Sequence, residues 1–224
     1  CIRDRREVAR RVAHEIRNPL TPIQLSAQRI ARRYQRAAGA ETEYAVIEEG
    51  TRTILQEVAT LKSLVEEFTR FARMPSAQPV LTDVHQLLDD SLLPFPEMHP
   101  DVELTRHYGR DLPQLELDPE QMRRAFTNLF DNAVKAMESD GRLAVSTVFD
   151  EDLEVVRIAV TDSGPGIRAE DKEQLFVPYF SRDRDGTGLG LAIVRQIVSD
   201  HRGYIRVVDN VPHGATFVIE LPTG

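Results

Sequence analysis

Apolar residues recur at alternating steps of four and three between residues 43 and 73, and this pattern constrains the fold more than any other feature. The series is Ile47, Thr51, Ile54, Val58, Leu61, Val65, Phe68 and Ala72, in which only Thr51 is polar. Steps of this kind place all members on one stripe of an α-helix. The pattern therefore predicts a long amphipathic helix with a coiled-coil-like seam.

A looser version of the same pattern precedes it over residues 2–36, through Val12, Ile16, Pro19, Ile23, Ala27 and Ile30. The break between the two stretches is 37–40, where Gly39 can adopt a left-handed conformation. Two such helices predict an antiparallel hairpin. Because a lone hairpin would leave much of its seam in water, we expect two copies to form a dimeric four-helix bundle.

Residues 74–79 contain two prolines and no periodicity, and they are predicted to be a linker. Beyond it, the pattern changes to alternating strands (143–149, 155–161, 204–209, 216–221) and helices (85–93, 119–138, 189–200). The sequence therefore predicts a helical domain over 1–73, a linker over 74–79 and an α/β domain over 80–224.

Composition excludes some classes of partner. The chain of 224 residues carries 28 basic and 36 acidic residues, a formal net charge of −8, which argues against direct nucleic-acid binding. No apolar run approaches the roughly 18 residues that would span a bilayer. The single cysteine, Cys1, is compatible with a reducing cytosol. Since the chain opens directly in a charged stretch at residues 3–7, we expect it to be part of a longer protein.

One polar stripe lies beside the first seam. His14, Arg17, Asn18 and Thr21 share one face of a helix, so the His14 imidazole should face solvent with a ring nitrogen free to act as a nucleophile. Glu15 could take a ring proton or fix the tautomer. Pro19 and Pro22 remove two backbone donors, which predicts a bend just past the histidine. The other five histidines are interpreted as solvated surface residues: His85, His99, His107, His201 and His213.

A second helix begins at Asp118, with the aspartate as N-cap, Pro119 at the first position and Gln121 at the third. Its predicted buried face is Met122, Phe126, Leu129, Ala133 and Met137. Asn128, Asn132 and Lys135 form another stripe, in which an amide oxygen suits Mg²⁺ and the lysine suits phosphate oxygens. Taken alone, this stripe is equally consistent with an ordinary polar helix face.

Two glycine-rich loops follow. In residues 162–166 (DSGPG) the glycines allow close backbone approach to a flat ligand, and the Asp162 carboxylate can accept a hydrogen bond from an exocyclic amine. Residues 186–191 (GTGLGL) open a helix, whose N–H groups can bind phosphates. Between the loops, 175–180 could anchor a lid, with Arg182 and Arg184 reaching phosphates. A plain turn and a solvated charged loop remain the alternatives.

Together these segments resemble the transmitter core of sensor histidine kinases of two-component systems. Residues 14–20 (HEIRNPL) match the H box and 128–133 (NLFDNA) match the N box. Residues 162–166, 176–180 and 186–190 match the first glycine box, the F box and the second glycine box, in family order. The sequence of residues 14–27 is similar to that of the NtrY branch of nitrogen-regulation sensors.

The resemblance implies a helical hairpin that dimerises through residues 1–73, followed by a Bergerat-type α/β sandwich that binds ATP and Mg²⁺. His14 would accept phosphate, Glu15 would act as its base or as an orienting carboxylate, and Asn18 would position water in dephosphorylation of the regulator. Asn132 would ligate Mg²⁺. The implied nucleotide-binding residues are Asn128, Asn132, Lys135, Asp162, Gly164, Gly166, Phe180, Arg182, Arg184, Gly186, Thr187, Gly188, Leu189 and Gly190.

The implied function is autophosphorylation on His14 and transfer to an aspartate of a response-regulator receiver domain. This part of the protein is expected in the cytoplasm, and the pattern leaves open a bacterial inner-membrane anchor outside it. Two alternatives stay open: a gyrase/Hsp90-type ATPase without histidine phosphorylation, and a dimeric scaffold that binds nucleotide without turnover.

Overall fold

The computed structural model describes residues 20–30, 32, 47, 49–59, 61, 76–181 and 188–224. The chain divides into two compact units, Cys1–Met74 and Pro75–Gly224. None of the helices in the described ranges is long and apolar enough to cross a membrane.

In the first unit, residues 20–30 and 49–59 are helical and pack together at small residues. Ser26 is 8% exposed and Gly50 is buried. A Cβ atom at Gly50 would lie 2.9 Å from side-chain carbons of Ile30 and 3.6 Å from the Ser26 carbonyl oxygen. The helices therefore approach closely at a position where a side chain would not fit without movement of Ile30.

On each helix the contacting residue precedes a predicted seam position by one: Ser26 precedes Ala27, and Gly50 precedes Thr51. Ala27 and Thr51 are exposed, and Val58 is 48% exposed. The apolar repeat did not predict the packing of Ser26 against Gly50, since small and polar residues do not contribute to such a repeat.

The second unit contains a five-stranded sheet and a separate two-stranded ribbon. The strands are β1 (Val80–Thr82), β2 (Val102–Tyr108), β3 (Leu115–Leu117), β4 (Gly141–Asp150), β5 (Val155–Asp162), β6 (Tyr204–Asp209) and β7 (Ala215–Pro222). The sheet has the order β2–β4–β5–β7–β6, and β1 pairs with β3. Among these described strands, β2 and β4 form a parallel pair, and the other neighbours in the sheet are antiparallel.

The helices of this unit are α1 (Val84–Leu92), α2 (Phe95–Met98), α3 (Pro119–Ala136), α4 (Ala169–Lys172) and α5 (Gly190–Asp200). Helix α3 packs against α1, α5 and the central strands β4 and β5. Alternate residues of β5 are buried, from Val156 to Asp162, which is the pattern of a sheet covered on one face. The unit is thus a two-layer α/β sandwich.

The predicted fold class is confirmed, with a helical region followed by an α/β domain. Every residue of the predicted buried face of α3 is at most 6% exposed. Strand β6 spans the predicted residues, and the other predicted strands and helices differ by one or two residues at their ends. Strands β1, β2 and β3 and the short helices α2 and α4 were missed. The predicted domain limits and linker remain predictions.

Candidate functional site

Helix α3 is the element that organises the site, and its start is fixed by a side-chain cap. The Asp118 carboxylate accepts hydrogen bonds from the backbone N–H groups of Glu120 and Gln121, both at 3.1 Å. Pro119 occupies the first turn, where no backbone donor is needed. The cap sets the rotation of the helix, which in turn places Asn128 and Asn132 on its half-exposed side.

These two asparagines lie against the first residue of α5. A Cβ atom at Gly190 would be 3.2 Å from Asn128 Oδ1 and 3.8 Å from Asn132 Nδ2. The Asn128 amide nitrogen donates to the Arg124 carbonyl at 2.9 Å, which holds its oxygen toward the glycine. The predicted Asn128–Asn132 stripe and the second glycine loop are therefore brought together.

Asn132 carries an unsatisfied polar atom. Among the described residues, its Nδ2 atom is buried and has no hydrogen-bond partner. A buried amide left without a partner costs free energy, about 1–3 kcal/mol for a neutral group. An amide in this situation, beside the N-terminus of an 11-residue helix, fits a site completed by a bound polar ligand.

The first glycine loop contacts the same helix one turn further on. A Cβ atom at Gly164 would lie 3.0 Å from both the Ala136 carbonyl oxygen and Asp162 Oδ1. Ala136 follows Asn132 by four residues, which is about 6 Å along a helix axis. The C-terminal turns of α3 thus touch both glycine loops.

Asp162 ends strand β5 and is almost completely buried, at 3% exposure. Its Oδ1 atom accepts hydrogen bonds from the backbone N–H groups of Gly164 at 2.9 Å and Ala215 at 3.1 Å. Within the described residues, Oδ2 accepts no hydrogen bond from the protein. One carboxylate oxygen is therefore held by the backbone, while the other is available to a ligand.

Burial raises the pKa of the Asp162 carboxyl, and the backbone N–H groups of Gly164, Ala215 and Asp162 itself offset part of that effect. No described cation pairs with this carboxylate. A buried carboxyl group with a raised pKa at the end of a central strand is more typical of a ligand site than of a structural ion pair.

The F-box segment is joined to the second glycine loop by its backbone. The Tyr179 N–H donates to the Gly188 carbonyl at 2.9 Å. Gly188 has a φ of +66°, and a Cβ atom there would lie 2.7–2.8 Å from backbone atoms of Tyr179 and Phe180. Only glycine fits this contact without displacement of the backbone.

Four further predicted site residues differ in their surroundings. The Phe180 side chain is half-buried next to Gly188, whereas Lys135 is exposed on α3. Leu189 is 0% exposed, so its side chain belongs to the core. Gly166 lies against Gly214, with a would-be Cβ 3.1 Å from its carbonyl oxygen.

Several predicted residues lie outside the described ranges. They are His14, Glu15, Asn18, Arg182, Arg184, Gly186 and Thr187. Their proposed roles remain predictions.

Two family models match the chain. The His Kinase A (phospho-acceptor) domain matches residues 4–77, and the histidine kinase-, DNA gyrase B- and HSP90-like ATPase matches residues 117–224. The nitrogen regulation protein NtrY of Azorhizobium caulinodans is 36% identical over 223 residues, which is 96% of this chain and 28% of NtrY. A solved mycobacterial sensor histidine kinase, MprB, is 33% identical with a TM-score of 0.57, over 65% of this chain and 97% of that structure.

The chain belongs to the sensor histidine kinases. A similar structure is that of histidine kinase ThkA in complex with response regulator protein TrrA, at 26% identity. The match covers 97% of this chain and 61% of that structure, with a TM-score of 0.72. The chain spans less than a third of the length of NtrY.

For this sensor histidine kinase, the prediction that five histidines are solvated was wrong at three positions. His99 is half-buried, with its ring centroid 4.9 Å from that of Phe95. His201 is 7% exposed, accepts from the Asp118 N–H at Nε2 (2.8 Å) and donates from Nδ1 to the Ile197 carbonyl (2.7 Å). His85 is half-buried, with Nε2 2.8 Å from Thr147 Oγ1 and its ring stacked on Tyr108. His201 ties the end of α5 to the start of α3.

His213 is exposed as predicted, but its ring Nδ1 lies 3.0 Å from the Ser163 carbonyl oxygen, next to the site. Asn210, which was not identified from the sequence, donates from Nδ2 to the Asp162 carbonyl at 3.0 Å. Neither residue belongs to a periodic pattern. The only signal was their position before a glycine in a turn between two predicted strands.

Proposed function

We propose that this chain transfers the γ-phosphoryl group of ATP to His14 and then to an aspartate of a response-regulator receiver domain. The observation that carries the proposal is the contact of one helix, α3, with both glycine loops. Asn128 and Asn132 lie at Gly190, and Ala136 lies at Gly164. One nucleotide bound along these turns would reach both loops at once.

The base would be recognised at Asp162. Its unoccupied Oδ2 atom can accept a hydrogen bond from the exocyclic amine of adenine, while Gly164 leaves room for a flat ring. The phosphates would lie at the N-terminus of α5, where the N–H groups of the first turn are free of helical partners. Lys135, and Arg182 and Arg184 of the adjoining segment, are proposed to contribute positive charge.

The side chain of Asn132 fits a magnesium site. Its amide oxygen, Oδ1, would ligate the ion, while the buried Nδ2, which has no partner among the described residues, would donate to a phosphate oxygen. Mg²⁺ in nucleotide sites is held by few protein ligands, with waters and phosphate oxygens completing the shell. No cluster of three or more His, Cys, Asp or Glu residues that could hold a metal occurs within the described ranges. When bound, Mg²⁺ would neutralise charge on the phosphate oxygens.

In the proposed reaction, a ring nitrogen of His14 forms a bond to the γ-phosphorus as the bond to the β–γ bridging oxygen breaks, and ADP leaves. Glu15 accepts the proton from the ring, or holds the imidazole in the nucleophilic tautomer. Asn18, four residues later, is proposed to orient water for dephosphorylation of the regulator, which would give the chain a second, phosphatase activity.

Dimerisation is proposed through residues 1–73. In the single chain, four large apolar residues of the helical stretches are 48–65% exposed: Leu20, Leu25, Leu55 and Val58. A second copy of the hairpin would cover these side chains in a four-helix bundle. The proposed regulator contact is supported by membership of the family and by the likeness to ThkA, a kinase solved in complex with a response regulator.

Incubation with γ-labelled ATP tests the function. We expect the chain to acquire label that is lost in acid and retained in alkali, as a phosphoramidate is, and to need Mg²⁺ for it. The Asn132→Ala variant should acquire little label even in excess Mg²⁺. Label that survives acid, or that forms equally in a chelator, would contradict the proposal. Unlabelled protein that still binds ATP would favour the non-catalytic scaffold.

A further inference from the structure

The turn between β6 and β7, residues 210–214, holds the loop that carries Asp162. Asn210 Nδ2 donates to the Asp162 carbonyl at 3.0 Å, and the Ala215 N–H just after the turn donates to the Asp162 carboxylate at 3.1 Å. His213 Nδ1 lies 3.0 Å from the Ser163 carbonyl. Because a carbonyl oxygen can only accept, Nδ1 carries the proton in this contact.

The contact from Asn210 replaces a missing strand partner. The β5–β7 ladder ends at Thr161 and Thr216, so no residue of β7 is paired with Asp162 on that side. The carbonyl of Asp162 would lack a neighbour there without the amide of Asn210. The side chain thus extends the sheet by one hydrogen bond at the residue whose carboxylate is proposed to bind the base.

Packing alone does not fix this loop. The turn touches it directly at Gly214, where a Cβ atom would collide with the Asp162 carbonyl oxygen. Beside the contact of Gly166 with Gly214, a cavity of about 300 Å³ is lined by residues from 165–168 and from 209–214. The hydrogen bonds of Asn210 and His213 add to this contact and hold the turn against residues 162 and 163.

We propose that Asn210 and His213 are positioning residues that orient the Asp162 carboxylate for selection of adenine. The proposal rests on the assignment of Asp162 as the base-recognition residue. Neither side chain touches the nucleotide; both act by preventing rotation of the peptide groups on either side of the carboxylate. A fixed carboxylate distinguishes a base with a 6-amino group from one with a 6-oxo group, whereas a mobile carboxylate can turn away from the oxo group and discriminates less.

Titration calorimetry of the full chain with ADP and with inosine diphosphate tests this directly. The parent should prefer ADP. In Asn210→Ala and in His213→Ala the ratio of the two affinities should fall by about three- to tenfold, the value of one lost hydrogen bond. His213→Gln, which keeps an N–H donor, should restore part of the preference.

His107→Ala is the matched control, since His107 is also exposed and lies on β2. It should leave the ratio unchanged. Because His213 is exposed, its removal leaves no cavity, and thermal unfolding would confirm that the variant is folded. A merely structural role would lower both affinities together and leave their ratio intact, which would overturn the proposal. A parent that does not distinguish ADP from inosine diphosphate would instead refute the role of Asp162, and this inference with it.

Discussion

Replacement of Asp162 by asparagine should stabilise the apo protein while it weakens adenine-nucleotide binding. The amide oxygen of asparagine can still accept the N–H groups of Gly164 and Ala215, so the local fold is retained. The other oxygen becomes an NH₂ group, which would oppose the amino group of adenine. Binding therefore loses one charge-assisted hydrogen bond and gains a donor–donor contact.

The size of the effect follows from that exchange. A hydrogen bond to a charged group contributes about 1.5–3 kcal/mol, which corresponds to a loss of about ten- to 150-fold in affinity. With nucleotide at 100 times its Kd, the parent gains about 2.7 kcal/mol of folding stability by linkage. If the affinity falls 100-fold, the same nucleotide concentration stabilises the variant by only about 0.4 kcal/mol.

Without nucleotide, the Asp162→Asn variant should have a higher free energy of unfolding than the parent. Burial raises the pKa of Asp162, so the folded state binds this proton more tightly than the unfolded state does. The free energy of unfolding of the parent therefore falls as the pH rises from the unfolded pKa to the folded pKa, and the deficit persists above it. The asparagine variant lacks this deficit, so its advantage should vanish in acid, where Asp162 is protonated.

Urea unfolding at several pH values, with and without ADP, measures both effects. Asp101→Asn is the matched control because it removes the same charge from an exposed position just before the edge strand β2, two strands away from β5. Apo Asp162→Asn that is less stable than the parent at neutral pH, or that retains the parent's stabilisation by ADP, would refute the reasoning.

Three further predictions concern the same unit. Gly188→Ala should lower the free energy of unfolding by about 1–2 kcal/mol, because its φ is +66° and its Cβ would meet the Tyr179 backbone; Gly224→Ala, with no atom within 4 Å, should not. Urea unfolding compares the two variants. Asn132→Ala should reduce the increase in ADP affinity that Mg²⁺ produces, with little change in a chelator, as measured by calorimetry. His201→Ala removes two buried hydrogen bonds and should destabilise the protein by about 2–4 kcal/mol in urea unfolding, and a loss under about 0.5 kcal/mol would contradict the assigned contacts.

Local chemistry explains which features could be predicted from the sequence. The cap at Asp118 and the proline after it are contained within a few residues, and the structure confirms both. The buried face of α3 follows from a helical repeat over one continuous segment. Strand β2 was missed because its burial does not alternate, and β1 and β3 have only three residues each.

The contacts that complete the candidate site depend on residues far apart in the chain. Asn210 is 48 residues from Asp162, His213 is 50 residues from Ser163, and His201 is 83 residues from Asp118. Hydrogen bonds of this kind have no period and no fixed spacing, so a pattern within one segment cannot reveal them. The contact between the two helices was missed for a related reason. Ser26 and Gly50 pack because they are small, and small size matters only once the two helices are paired.

The most direct test of the central claim is to locate the phosphoryl group after incubation with Mg²⁺ and γ-labelled ATP. Mass spectrometry of alkaline digests should place it on His14, and the His14→Gln variant should acquire no label while it still binds ADP with the affinity of the parent. Label on any other residue, or equal labelling of the variant, would contradict the account.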